Sequence, residues 1–549
     1  MKHTFAMLAS SARGSACQLV RAGLARPLLF LAVALLGLML GSVRSAEAAT
    51  CTVPGTYPTI QMAVNDSSCD PINVAAGAYA ENVTISRTLT LNGAQAGNPV
   101  AGRTFGSPFE STVTGTGTDV PIFKIAATNV TIDGFSVTNP GQSTGILVKT
   151  AGSGAVIKNN IIDTIGGVSF TGNTQAIYLE RGPDSVNVVA NKISHVEGIA
   201  SSNGGIFIGD SVSVDPSVNI LIQGNSISDI TSVNRGAYGI HFNNGNGSTT
   251  NSGLQILNNT ISNLNGGGWV HAIGLEAKTP GVVVYGNSIS NLAPAPGGTI
   301  AVWFESEEGT SFATGKVNEN NLDVTMVNYG IAVDPALSVA HPALNVDGTC
   351  NWWGAANGPG PVGPGSGSKV SDNVNYSPWL IAPAPGGACL GGVPQTAGKV
   401  TGGGQIPGDD PIFSPTGDLL SLPAITLSAA SVTDPNAKAT FGFVAKCCAP
   451  SGNLEYQDSS AGVRIKAQSV DALQISSPGS SCPMTPESKH AKFGGTASVI
   501  RSTATTTEPY TVDVDDCGEP GTSDTFGIKT TTYSNGPSTL IGGNIQIKQ

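Results

Sequence analysis

Seven short segments of the chain share one pattern, and their last residues are mostly polar. They begin at Gly145, Ala176, Gly205, Gly239, Ala272, Ala301 and Gly330, and each has Ile or Val second. In a strand that second side chain faces inward, so the third and fifth positions face outward in two parallel columns. One column reads Leu147, Tyr178, Phe207, His241, Gly274, Trp303, Ala332; the other reads Lys149, Glu180, Gly209, Asn243, Glu276, Glu305, Asp334. Glu276, Glu305 and Asp334 therefore fall on three successive segments. At that spacing at least one carboxyl should have a raised pKa, which divides the group into an acid and a base. Parallel neighbours lie about 4.8 Å apart, so an adjacent pair suits a retaining glycosidase separation of about 5 Å and a pair two segments apart an inverting one. Rings such as Tyr178 and Trp303 can stack on the apolar face of a pyranose, while carboxylates accept its hydroxyl hydrogens. The contact residues expected are Tyr178, Glu180, Phe207, His241, Asn243 and Trp303. The competing reading is a solvated acidic face, or a calcium site without catalysis.

These segments must be held in register, and the sequence contains the repeat that would do it. Apolar-x-x-Asn-x-apolar recurs with its asparagine at 160, 191, 225, 259, 287 and 320; Phe135 takes the Asn place in a degenerate earlier copy, and Asn351 closes the series. Each copy reads as two short strands around a bend. Asparagine tolerates a left-handed bend, and stacked amides can hydrogen-bond from one copy to the next. The unit is thus the coil of a β-solenoid. Gly, Asn, Ser, Thr and Pro fill the intervals, which excludes helical repeats.

At this point the chain resembles the right-handed parallel β-helix proteins of the pectin-lyase-like class. Tyr57-Pro58-Thr59-Ile60-Gln61-Met62-Ala63-Val64, with Ile72-Asn73-Val74 and Val83-Thr84-Ile85 after it, is similar to the amphipathic cap and first coil of that class. Cys350-Asn351-Trp352-Trp353-Gly354 and Tyr376-Ser377-Pro378-Trp379 resemble the ending of bacterial members. The resemblance implies the fold over about 330 residues. It leaves the chemistry open, because one coil carries lyases, esterases, glycosidases, epimerases and non-catalytic surface proteins. Resemblance to pectate lyases would require an Arg or Lys base beside acidic calcium ligands. The columns offer only Lys149, with Arg181, Arg235 and Lys278 nearby. His195, His241 and His271 have neither triad nor metal spacing.

Charged residues are 11% of the chain, against roughly 25% in an ordinary domain. The formal net charge of −11 argues against nucleic acid as a partner. Residues 1–49 read as a cleavable export signal: a basic start, an apolar run from Pro27 to Leu40, and Ala46-Glu47-Ala48 as a small-x-small site. No later segment is apolar enough to span a membrane, so a secreted or cell-surface location, or the periplasm, is expected. Past Cys17, eight cysteines remain, and in an exported chain an even number reads as disulfides. Proximity suggests Cys51 with Cys69 and Cys350 with Cys389; Cys447, Cys448, Cys482 and Cys517 pair among themselves in an order left open.

The expected organisation is all-β. Residues 50–380 form the right-handed parallel β-helix with its cap, 381–410 a Pro/Gly-rich linker, and 411–549 a small β-sandwich of short strands. In that last region Asp513, Asp515, Asp516, Glu519 and Asp524 crowd one turn. Their hard oxygen ligands would suit calcium, although no EF-hand spacing is present, and no other cofactor is indicated. Two functions follow. The first is a secreted protein that binds extracellular polysaccharide or a cell-surface glycan through the aromatic and acidic face, and processes it if the carboxylates act as a lyase or hydrolase. The second is a non-catalytic surface or matrix protein, with the solenoid as an adhesin-like spacer.

Overall fold

The computed structural model of the protein describes residues 49–408 and 437–548, apart from gaps at 118–119, 200–201, 211–214, 244–248, 277, 306–312, 325–327, 341–344, 362, 393–396, 448–449, 477–481 and 483–487. Residues 1–48 of the expected leader lie outside them, and Ala49 opens a strand, Ala49–Val53, that pairs with Cys69–Val74. Among the described residues no helix is long and apolar enough to cross a membrane.

The repeats wind into a parallel β-solenoid. Each complete coil contributes three short strands, as in Asn187–Val189, Lys192–Gly198 and Asn203–Ile208. Stacking the coils yields three parallel sheets of twelve, eleven and nine strands. Inward residues of every strand supply the core. Val188, Ile193 and Ile206 of this coil are fully buried, as are Ile222, Ile227 and Ile240 of the next. At the N-terminal end the helix Ile60–Asn65 covers the first coil. Thr59 caps it by accepting the Met62 N–H, and Ile60, Ala63 and Val64 face the core. Trp353, fully buried, fills the core at the opposite end, and the disulfides Cys51–Cys69 and Cys350–Cys389 staple the two ends.

The bends carry a buried ladder of asparagines. Asn191 Oδ1 accepts both the backbone N–H and the side-chain amide of Asn160, at 3.0 and 3.1 Å, and the same double bond recurs up to Asn351. Each rung satisfies backbone groups that the bend would otherwise leave unpaired. One expectation changes. The left-handed residue is the one before each ladder asparagine, namely Asn159, Ala190, Gly224, Asn258, Gly286, Glu319 and Cys350. The asparagine's own task is the amide ladder.

The expected sandwich is realised as one antiparallel sheet that curls over its own core. The order starts at Ser534–Thr539 and runs through Thr525–Thr530, Thr505–Asp516, Lys489–Ile500, Val463–Ala467, Ser451–Asp458, Lys438–Cys447 and Gly398–Pro407 to Gly542–Lys548. Phe441 and Phe526 are far apart in that order yet stack with centroids 3.9 Å apart, so the sheet closes on itself. Part of the expected linker is corrected by this arrangement, because Gly398–Pro407 is a ten-residue strand paired on both sides. Val400 and Ile406 point into the core. Gly402 and Gly404 leave room for Phe443 and Phe441, since a Cβ would lie 2.6 and 3.3 Å from those rings. The glycines that suggest a linker are thus accommodating aromatics. Cys482 bonds to Cys517 and Cys447 is also disulfide-bonded; Cys448 lies outside the described residues.

Candidate functional site

The eleven-stranded sheet presents the two outward columns in register. Leu147 pairs with Tyr178, Tyr178 with Phe207, Phe207 with His241, His241 with Gly274, Gly274 with Trp303, and Trp303 with Ala332. Backbone hydrogen bonds continue the ladder through Glu180, Gly209, Asn243, Glu276, Glu305 and Asp334. A third outward column also exists, which strict alternation does not predict. Gln175, Gly204, Tyr238, His271, Ile300 and Tyr329 pair in sequence across the same sheet. The reason is that two consecutive residues face inward. A Cβ on Gly205 would lie 2.7 Å from Ile227, and one on Gly239 2.6 Å from Ile261, so these small residues point into the core just as the following isoleucines do. The Gly/Ala that opens every segment was the available signal.

The third column completes a run of rings. Tyr178 meets Phe207 edge-on at 5.4 Å, and Phe207 meets His241 at 4.9 Å. Tyr238 stacks flat on His241 at 3.9 Å and meets His271 at 5.5 Å, which lies 5.8 Å from Trp303. Tyr238, His241 and His271 are buried, whereas Tyr178, Phe207 and Trp303 are half-buried and present ring surface to solvent. Burial, followed by the charges of Glu276 and Glu305, pushes the Tyr238 hydroxyl far above its ordinary value. It accepts a hydrogen bond from Trp269 Nε1 at 2.6 Å.

Glu276 and Glu305 sit on adjacent coils, and their environments differ. Burial would raise the Glu276 pKa, but His241 reverses this and brings it down to about 2. His241 Nε2 lies 2.7 Å from Glu276 Oε1, and the Asn243 amide donates to Oε2 at 2.8 Å. For Glu305, burial and then the facing Glu276 charge act in the same direction, and its pKa is pushed up to about 8. Trp303 Nε1 donates to Glu305 Oε2 at 2.9 Å. One carboxyl thus holds a proton at neutral pH beside one that does not. His271, buried behind them and facing His241, is pushed down to about 3 and stays neutral.

The remaining candidates have other partners. Asp334 Oδ1 accepts the Ala336 N–H at 2.8 Å, at the start of the short helix Pro335–Ala340. Glu180 is paired with Lys149, and Arg181 with Asp210 at 2.9 Å, so these two cations are engaged at the end away from Glu305, while Lys278, two residues past Glu276, is exposed. The acids of the C-terminal sheet do not converge on one point. Asp513 pairs with Lys492, Asp515 with His490, and Glu519 accepts from Asn544 and Gln546. Asp516 accepts the Ile547 N–H, and Asp524 those of Cys517 and Ile545. Among the described residues no group of three or more His, Cys, Asp or Glu could hold a metal ion.

The carboxyl pair makes stability depend on pH in two windows. Between about 4.5 and 8 the unfolded chain ionises Glu305 while the folded one keeps its proton, so stability falls as pH rises toward 8. The lowered Glu276 pKa contributes stability that is present above about 4.5 and lost as pH falls toward 2. Urea midpoints of the wild type and Glu305→Gln, measured from pH 5 to 8.5, should fall more steeply in the wild type, because the raised His195 pKa contributes its decline to both. Parallel curves would contradict the raised pKa.

No protein-family model and no curated protein matches this chain. Among solved structures it is similar to the Dettilon tailspike protein (gp208), at 13% identity and a TM-score of 0.33, covering 89% of this chain and 93% of that one. It is similar also to the enzymatically active domain of tailspike protein 2 of bacteriophage CBA120, at 10% identity and a TM-score of 0.30, covering 92% and 76%. At such values a likeness carries no argument about activity, and the functional reading rests on the geometry above.

Proposed function

We propose that the protein binds an extracellular polysaccharide along the ring-lined face of its solenoid and hydrolyses it with Glu305 as general acid and Glu276 as the ionised partner. The observation that carries this reading is the unequal carboxyl pair beside the half-buried Trp303. Glycoside hydrolysis needs one carboxyl to protonate the leaving oxygen and a second, ionised, on the far side of the anomeric carbon. Neighbouring coils space the strands about 4.8 Å apart and the two carboxyls hydrogen-bond to each other, so the sugar enters by parting them toward the roughly 5 Å of a retaining mechanism, in which Glu276 attacks and Glu305 then activates water. Lys149 and Arg181 are paired with acids several coils from Glu305, whereas Lys278 follows Glu276 by two residues and is exposed, so it is the unequal carboxyl pair and not a lack of cations that favours hydrolysis over elimination.

Tyr178 and Phe207 on adjacent coils, and Trp303 three coils beyond Phe207, supply sugar-stacking surface, and substitutions there separate binding from chemistry. Trp303→Ala should weaken retention in a polysaccharide affinity gel about tenfold, and Tyr178→Ala, farther from the carboxyls, by less. Unchanged retention in both variants would remove the face from the account and favour the solenoid as a spacer.

A further inference from the structure

A single missing side chain opens a pocket on the same sheet, joined to Glu276 through His241. In the third outward column Gln175 and Tyr238 lie on either side of Gly204, with which both are in register. The gap is a cavity of about 180 Å³ lined by Asn173, Gln175, Asn203, Phe207, Tyr238 and His241, among others. That is room for about six waters at roughly 30 Å³ each, enough for one substituent and part of a ring but not for a disaccharide.

Packing does not demand the gap. A Cβ on Gly204 would meet only Tyr238, at an ordinary 3.8 Å, and its φ is not left-handed; the adjacent Gly205, by contrast, has no space. Two polar groups at the pocket lack partners among the described residues. The buried His241 Nδ1 has none, and the Gln175 side-chain amide, on a residue only 8% exposed, makes no hydrogen bond. Leaving the buried His241 Nδ1 unmet costs free energy that a ligand can recover, while the Gln175 amide, which is not among the buried unpaired atoms, exchanges solvent for the ligand. Asn203 is already committed: its amide donates to Gly198 and Thr231 carbonyls and accepts from the Thr174 hydroxyl, so it forms a rigid wall.

Resting on the hydrolytic reading above, we propose that this pocket receives the acetamido group of a neutral 2-acetamido sugar and makes such sugars the preferred substrate class. The Gln175 amide offers one donor and one acceptor, the complement of an acetamido carbonyl and N–H. Phe207 and Tyr238 supply ring surface for the methyl group. Among the described residues no lysine or arginine lines the pocket, and His241 on its far side touches Glu276, so the carboxylate of a uronate would lie unpaired beside another negative charge.

Calorimetric titration with chitotriose, cellotriose and trigalacturonate tests the proposal on the full chain. The wild type should bind chitotriose at least tenfold more tightly than cellotriose, and trigalacturonate least. Gly204→Val fills the pocket with a residue suited to a strand, and should cost at least tenfold in chitotriose affinity without moving the melting temperature. Gln175→Ala should abolish the preference of chitotriose over cellotriose. Equal affinity of Gly204→Val and the wild type, a preference for trigalacturonate, or binding of none of the three would overturn the pocket. Loss of polysaccharide retention in Trp303→Ala with no effect of Gly204→Val would reject the pocket and leave the binding face standing. Retention indifferent to Trp303→Ala would reject both.

Discussion

Glu305→Gln should lower kcat/KM for polysaccharide cleavage by about 10³-fold while leaving binding intact. The magnitude is that of losing a positioned general acid, which contributes about 10²- to 10⁴-fold. Glutamine keeps the side-chain length and can still accept the Trp303 Nε1 hydrogen bond, but it has no transferable proton. The wild type should lose activity as pH rises past about 8, where Glu305 ionises, and retain it down to about 2, where Glu276 takes up a proton. In Glu305→Gln the alkaline limb should vanish from the residual activity. A variant as active as the wild type would place the chemistry elsewhere; one with a melting temperature lowered by many degrees would show a structural role and call for Glu305→Asp as a second variant.

Asn259→Leu should be the most destabilising single substitution in the solenoid, by about 4 kcal/mol. Leucine matches asparagine in shape but strands several buried partners. The Asn225 N–H and side-chain amide lose an acceptor at 2.9 and 3.0 Å, and the Ile222 carbonyl loses a donor at 3.0 Å. Each unsatisfied buried group costs about 1–3 kcal/mol, partly offset by the apolar surface gained. Urea unfolding followed by circular dichroism measures the loss. A change below about 1 kcal/mol would mean that the ladder is a consequence of the coil and not one of its causes.

Both the coil and the outward columns were legible in the sequence because the repeat is dense in physical signals. Inward Ile and Val at matching places, with one asparagine per bend, determine which residues stack, and the observed register follows from that. Strict alternation hides the third column, because Ala176 and Ile177, like Gly205 and Ile206, both face the core. For that reason Tyr238 and His271, which join the ring run to Trp303, could not be placed from spacing alone. The acidic turn near Asp515 misled for a different reason. Asp516 and Asp524 serve backbone N–H groups and Asp515 a histidine, and a count of acids cannot distinguish those tasks from a shared cation. The strand Gly398–Pro407 was obscured by composition, since glycine facing an aromatic ring reads as a flexible linker until the ring is located.

The central claim is that the face from Tyr178 to Glu305 binds and cuts a polysaccharide, and the most direct measurement is product release from a panel of neutral and acidic polysaccharides. New reducing ends and unsaturated uronate would be read in parallel, with wild type, Glu276→Gln and Glu305→Gln side by side. The account predicts saturated reducing ends from a neutral polymer, lost in both variants. It would be contradicted by unsaturated uronate as the product, by release that neither substitution diminishes, or by no product from any polymer in the panel.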